Sequence, residues 1–246
     1  MSGELVLPYP ARQADVTAFV RRHHYSRRCP AVWKVAYALA SHRGALRAVV
    51  IYGEPPYPSI KRAFCRRPED HGRVAWQCRM IGAGISRGDL DGLLAFAAAQ
   101  LRDLEFFWTY TLSERQAWVI DRTLVRLVCP GYSGETYARN NWLWLGMTRP
   151  SHTELFIIDG RAVHIRQNAT TLTLSNIRQH YPDAREIRAV PSHAKDRWAQ
   201  VLARTEQERA ERLLLMKYHP QVWQPAIQPR LLARLCPNVL PHSATA

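Results

Sequence analysis

The stretch that most narrows what this chain can fold into is a helix set between two strands. "DLDGLLAFAAAQLRDL" (89–104) is Ala-rich with Leu93, Leu94 and Leu101, and Ala and Leu are strong helix formers. Before it, "RVAWQCRMIGAG" (73–84) alternates Val74, Trp76, Cys78 and Met80 against Ala75, Gln77, Arg79 and Ile81, the period of a strand. After it, "FFWTYTL" (106–112) reads as a short buried strand. Upstream, "QADVTAFVRRHH" (13–24) is a first helix with Val16, Phe19 and Val20 inward, stopped by Pro30. "VWKVAYALA" (32–40) and "ALRAVVIYGEPP" (45–56) pair as a hairpin around "HRG", and a loop with Pro55, Pro56 and Pro58 follows. Downstream, "ERQAWVIDRTLVRLV" (114–128) carries apolar residues at helical spacing, and "WLWLGM" then "TELFIIDG" read as two hairpin strands. Residues 13–160 thus run helix, three strands, helix, strand, helix, two strands. That order predicts an α/β (α+β) domain with a mixed, mostly antiparallel sheet flanked by helices. Beyond residue 165 one charged helix ending in "LLLMKY" is expected, then an irregular tail with Pro220, Pro225, Pro229, Pro237 and Pro241.

Charge narrows the partners. Lys and Arg total 34 against 20 Asp and Glu, a net charge of +14 that is mostly arginine. Arg grips phosphate with two N–H groups at once, and a basic surface draws polyanions from a distance. Double-stranded DNA is the partner expected; a merely Arg-rich composition is the plainer reading. A basic loop at Lys61, Arg62, Arg66 and Arg67, with Arg27, Arg28 and Arg166, would form the nucleic-acid footprint. A homodimer is the other association considered. No run approaches the roughly 18 apolar residues of a membrane span, and the N-terminal "MSGELVLPYPARQ" is too polar for a signal sequence. Five scattered cysteines without a CxxC pair point to free thiols in a reducing cytoplasm.

"GETYARNNWLWLGMT" (134–148) gathers Tyr137, two Asn and two Trp. Tyr137 falls near the end of a short helix. Asn141 or Asn140 would cap it, since Asn tolerates a left-handed backbone. Trp142 and Trp144 alternate with Leu143 and Leu145, so both point to one face. They either pack in the core or line a pocket.

The element order resembles the GNAT superfamily of N-acetyltransferases, in which a Tyr, three residues, then Gly and Phe precede the penultimate hairpin. Here Tyr137 is followed by Asn141 in the Gly place and Trp142 in the Phe place. A closer resemblance is to the bacteriophage Mom DNA-modification proteins, carried by "HHYSRR" (23–28), "LRAVVIYGEPP" (46–56), "SGETYARNNWLWLG" (133–146) and "IIDGRAVHIR" (157–166). It implies a GNAT-like catalytic domain over 1–170 and a C-terminal extension over 171–246. It also implies transfer of a carbamoylmethyl-type group to N6 of adenine in DNA, protecting it from restriction. Two departures stand out. The family's Asp after the central strand is absent from "TYTLSERQ", and "GISRGDLDG" (84–92) occupies the place of the acetyl-CoA loop, Gln/Arg-x-x-Gly-x-Gly/Ala. The donor is therefore left open between acetyl-CoA and another small molecule. The alternatives are an ordinary acetyl-CoA-dependent acetyltransferase and a non-catalytic DNA-binding protein.

Alkylating an exocyclic amine requires a flipped base, an aimed nucleophile and a proton path. Tyr137 is the candidate general acid. His24 titrates near neutrality, and Tyr25 and Ser26 beside it could contact the base. Arg79 would meet an anion or pair with Glu114 or Asp121. Thr109 and Ser113 sit toward the end of their strand, where such sheets place ligands, and Asn141 and Trp142 would line the substrate. His24 and His164 with one carboxylate would form a metal site, iron among the candidates, if the fold brings them together.

Overall fold

The computed structural model describes residues 7–24, 29–55, 58–114, 117–121, 124–128, 134–148, 153, 155–167, 170–191 and 193–221. Fourteen strands and six α-helices are assigned among them. They group into two compact units: Met1–Leu112 with Gly134–Gly146 and Arg197–Gln224, and Ser113–Ser133 with Met147–Asp196 and Pro225–Ala246.

In the first unit, β1 (Leu7–Pro10) precedes α1 (Gln13–His23), β2 (Val35–Ala40), β3 (Leu46–Gly53) and α2 (Pro58–Phe64). Then come β4 (Val74–Gly82), α3 (Arg87–Asp103) and β5 (Trp108–Glu114). β1 was not anticipated because Pro8 and Pro10 argue against a strand. It survives at the sheet edge, where a missing N–H costs no ladder bond. The strands β2 to β4 pair antiparallel, whereas β4 and β5 pair parallel. The expected mixed, mostly antiparallel sheet flanked by helices is thus present. Period-two burial in β2 and β3 sends Tyr37, Leu39, Val50 and Tyr52 to Leu93, Leu94 and Leu101 of α3. It sends Ala36, Ala38, Val49 and Ile51 to Val16, Phe19 and Val20 of α1. Each fully buried Leu or Val of these layers contributes roughly 1.5–3 kcal/mol.

Two expectations fail around residues 114–160. The stretch read as a helix over 114–128 is a hairpin, β6 (Ala117–Asp121) against β7 (Leu124–Val128). Its run of Val, Ile, Trp and Leu is β-prone, and near-helical spacing over so short a span does not separate the two periods. After α4 (Glu135–Arg139), β8 (Leu143–Met147) does not turn back onto β9 (Leu155–Ile158). β9 instead lies between β10 (Arg161–His164) and β13 (Ile187–Val190) in a three-stranded sheet of the second unit. β11 (Arg166–Gln167), β12 (Thr170–Thr171) and α5 (Ile177–His180) belong to the same unit. The expected tight turn at Asp159 and Gly160 joins β9 to β10, both residues having positive φ.

The charged helix expected to end in "LLLMKY" is α6 (Glu206–Leu215); β13 and β14 (Lys195–Val201), which precede it, were not anticipated. β14 lies inside the seven-stranded sheet, in the order β1-β2-β3-β4-β5-β14-β8. The Pro-rich tail beyond residue 221 lies outside the described residues. No described helix is long and apolar enough to cross a membrane.

Candidate active site

β4 and β5 begin as neighbours and then part. Their parallel register holds for only three steps, from Val74 opposite Trp108 to Trp76 opposite Tyr110. Both strands continue, β4 to Gly82 and β5 to Glu114. Past Trp76 the β5-facing backbone groups of β4 therefore have no strand partner among the described residues, and a side chain takes over. The Thr111 hydroxyl donates to the Gln77 carbonyl at 2.9 Å.

On its other edge β4 bulges. Ile51 of β3 pairs with Arg79 and Tyr52 pairs with Gln77, so Cys78 is the extra residue. The bulge resets the alternation read from the sequence. Gln77 and Met80 now share the α3 face, while Cys78 and Ile81 pack with α1. Arg79, opposite Ile51, goes to the α1 face. The expectation that Arg79 shares a face with Gln77 is thus corrected. Its Nη1 donates to the Cys78 carbonyl at 2.7 Å, and its Nε is buried without a partner among the described residues.

Tyr137 stands beside the gap between the two strands. Its helix, α4, starts at Gly134, a left-handed N-cap with φ +84°, where any Cβ would lie 2.5 Å from the Trp198 ring. Asn140 is the C-cap, and Asn141, at φ +56°, is the left-handed residue after it. Both asparagines thus serve the helix end. The Asn140 side chain donates to Asp91 of α3 at 2.7 Å, and Arg139 pairs with the same carboxylate at 3.2 Å. The tether fixes where Tyr137 points.

The phenol is 7% exposed. Gln77 Nε2 donates to it at 2.7 Å, and Thr111 also hydrogen-bonds to it. The Tyr52 hydroxyl donates to Gln77 Oε1 at 3.3 Å. Trp142 and Trp198 pack on Tyr137, with ring centroids at 5.0 and 5.6 Å. Burial pushes the phenol up to about 12, the bonds from Thr111 and Gln77 pulling the other way. Trp144 packs against the same group while Leu143 and Leu145 turn to the α2 side, as alternation predicts.

The other expected site residues fall as follows. Thr109 is fully buried on β5, its hydroxyl without a partner among the described residues, two residues before Thr111. Ser113 is buried on the same strand, in the portion that groups with the second unit. His24 is the C-cap of α1, its N–H on the Val20 carbonyl. Tyr25, Ser26, Arg27 and Arg28 lie outside the described residues, as do the side chains of His164, Arg166 and Glu114. Among the described residues no three His, Cys, Asp or Glu side chains gather as metal ligands. Lys61 lies in the last turn of α2 and pairs with Glu54 at 3.1 Å. Together with Lys34 it pulls that carboxyl down to about 2. The Arg62 carbonyl accepts a bond from Lys217. Arg66 donates from Nε to the Met216 carbonyl at 3.0 Å, and Arg67 leads exposed into the 3-10 turn Pro68–Arg73. Gln77, Thr111, Tyr52, Asp91 and Trp198 were not anticipated. Gln77 alone had a visible signal, a neutral polar residue between Trp76 and Cys78 in a mostly apolar strand.

The loop between β4 and α3 corrects a second expectation. Read from the end of β4, the Arg/Gln-x-x-Gly-x-Gly spacing is present as Arg79-Met80-Ile81-Gly82-Ala83-Gly84. Gly84 has φ +61°, and its carbonyl accepts a bond from the Arg47 guanidinium. The Arg87 and Gly88 N–H groups open α3, where a helix leaves donors without acceptors. Against this, Asp89 already holds the Ser86 N–H and hydroxyl in a capping box.

No family model and no curated protein matches the sequence. Among solved structures, the chain is similar to a GNAT-family N-acetyltransferase (YhbS) of Escherichia coli in complex with CoA. That match has 12% identity, covers 58% of this chain and 71% of that one, and has a TM-score of 0.39. It is similar to the ribosomal-protein-S18-alanine N-acetyltransferase of Escherichia coli, with 9% identity, 82% and 96% coverage and a TM-score of 0.40. It is also similar to a Drosophila melanogaster polyamine N-acetyltransferase, with 10% identity, 80% and 100% coverage and a TM-score of 0.42. At such identities and scores the likeness assigns neither a substrate nor a residue's role.

Proposed function

We propose that this protein is a group-transfer enzyme that moves an acyl group from a CoA thioester to an amine, with Tyr137 as proton donor to the leaving sulfur. The observation that carries this is the buried Tyr137 hydroxyl, held by Gln77 at 2.7 Å where β4 and β5 part. The amine nitrogen attacks the thioester carbon and the C–S bond breaks. Tyr137 gives its proton toward the thiolate, the attacking nitrogen releases one to solvent, and the phenolate is reprotonated from solvent, closing the balance. Backbone N–H groups of β4 freed by the splay suit the carbonyl oxygen as charge builds on it. The Gly82–Gly84 turn with Arg47, Arg87 and the first N–H groups of α3 fits a phosphate-bearing donor, while the Asp89 charge opposes it.

The +14 charge favours one acceptor class, an amine carried on nucleic acid. In that second reading the acceptor is adenine N6 in double-stranded DNA and the group is carbamoylmethyl. One assay separates the two. The protein is incubated with acetyl-CoA and either a polyamine, a peptide amine or duplex DNA. Thiol release is followed, and nucleosides from DNA recovered out of expressing cells are weighed. Thiol release that depends on a polyamine or peptide amine supports acyl transfer to an ordinary amine. A deoxyadenosine heavier by a carbamoylmethyl group supports the second reading. Tyr137→Phe should lower the rate about 100-fold in a chain that still folds, the buried Gln77 N–H it orphans costing about 1–3 kcal/mol. An unchanged rate refutes the role given to Tyr137.

A further inference from the structure

Gln77 touches no reacting atom in this reading, yet it is only 2% exposed and both ends of its amide are engaged. On one side the Tyr52 hydroxyl donates to Oε1 at 3.3 Å; on the other Nε2 donates to Tyr137 at 2.7 Å. Tyr52 is itself 2% exposed, and burial, with Tyr137 and Tyr37 nearby, keeps its phenol well above the ordinary tyrosine range. It therefore stays a donor. An amide that accepts at its oxygen must present N–H groups at its other end, so Tyr52 sets which end of Gln77 faces Tyr137.

The consequence falls on the Tyr137 proton. A phenol oxygen that already accepts an N–H has one hydrogen left to give. At rest Thr111 spends its own hydrogen on the Gln77 carbonyl and can only accept from the phenol, so the phenol hydrogen turns from Thr111 to the leaving group when substrate is bound. When Tyr137 gives up its proton, the phenolate keeps the Gln77 bond, and Thr111 can rotate its hydrogen onto it. The β4 bulge at Cys78 ends the regular alternation immediately after Gln77, which leaves the amide at the gap.

We propose that Gln77, oriented by Tyr52, is the positioning residue that makes Tyr137 a proton donor. The inference rests on the general-acid reading of Tyr137, and its test has a part that needs no substrate. Difluorotyrosine is placed at position 137 of the full chain, where fluorine brings the phenol's titration into a range the fold tolerates. Its ionisation is followed by fluorine NMR without substrate. Losing a hydrogen bond to the charged form should raise its pKa by about one to two units in Gln77→Leu and Gln77→Met, and in the same direction in Tyr52→Phe. Gln77→Met, unbranched and close in volume, keeps the test alive if Gln77→Leu does not fold. A titration unmoved in folded Gln77→Met overturns the proposal. With acetyl-CoA and the accepted amine, the same variants should lower kcat, leave KM unchanged and shift the alkaline limb upward. Loss in KM alone would also overturn it. A shifted fluorine titration with no acyl transfer by the unsubstituted protein would uphold the Gln77 contact and sink the acyl-transfer reading instead.

Discussion

Gly134 is the hinge on which the site's placement turns, and its substitution can be worked out in parts. It caps α4 at φ +84°, and an added Cβ would meet Trp198 at 2.5 Å from Cζ2 and 3.1 Å from Cε2. A left-handed backbone costs an L-residue roughly 1–2 kcal/mol. Forcing a methyl into a packed core costs roughly 1–3 kcal/mol more. Trp198 cannot step aside easily, being fully buried and packed on Tyr137. Gly134→Ala should therefore destabilise by about 2–5 kcal/mol in total. Gly44 supplies the control: it has φ +77° but nothing within 4 Å of an added Cβ. Gly44→Ala should cost only the backbone part, about 1–2 kcal/mol. Urea unfolding of both variants reads the difference directly, and at about 2–4 °C per kcal/mol thermal melting should rank them the same way. Equal losses, within about 0.5 kcal/mol, would refute the contact between Gly134 and Trp198 as a constraint on the site.

Two further outcomes follow from charge. Burial raises the thiols of Cys65 and Cys78 and the phenol of Tyr137, each to about 12, so the folded state keeps protons that the unfolded chain releases. Their contribution is complete below pH 8.5–9 and is lost as pH climbs toward 12. Stability should fall by about 1.4 kcal/mol per pH unit for each group titrating. Tyr137→Phe should flatten that slope above pH 10 by one group's worth, and an unchanged slope contradicts the assignment. If the acceptor is nucleic acid, Lys61→Ala with Arg62→Ala should weaken binding to duplex DNA and reduce the dependence of log K on log salt by about 1–2. An unaltered salt slope removes α2 from the contact surface.

Period and propensity made α1, α3 and the first four central strands legible, because each buries one face over enough residues for its repeat to show. They failed where the chain is short or two-faced. Residues 117–128 hold only five residues per strand, too few to separate a period of two from 3.6. β14 was hidden inside a charged segment because Lys195 and Arg197 alternate with Asp196 and Trp198, and only the fold shows Trp198 fully buried. Within the candidate site, the place of Tyr137 on a short helix was legible from its own motif. Its partners were not, since Gln77, Thr111 and Tyr52 lie on three strands far apart in sequence. The bulge at Cys78 reversed the face assigned to Arg79, and nothing in a single strand's alternation announces an extra residue.

The height of the Tyr137 pKa decides what kind of acid it is. A thiol leaving group has a pKa of about 8.5, and Tyr137 stands at about 12. Complete proton transfer to a thiolate is thus uphill by about 3–4 units, roughly 5 kcal/mol. Toward sulfur, then, the proton that Tyr137 donates is only partly transferred in the transition state, a bond to developing charge worth roughly 1.5–3 kcal/mol. That corresponds to a loss of about 10- to 150-fold on removal. An oxygen leaving group reverses the sign. An alkoxide is nearer the roughly 15.7 of water, so transfer from Tyr137 becomes downhill by about 3–4 units and the phenol should give up its proton outright. The prediction is a change in ratio. The rate of the unsubstituted protein over that of Tyr137→Phe should be at least about ten times larger with an acetyl donor whose thioester sulfur is replaced by oxygen than with acetyl-CoA. Equal ratios for the two donors would mean that Tyr137 does not face the leaving atom. Its burial against Trp142 and Trp198 would then be packing alone.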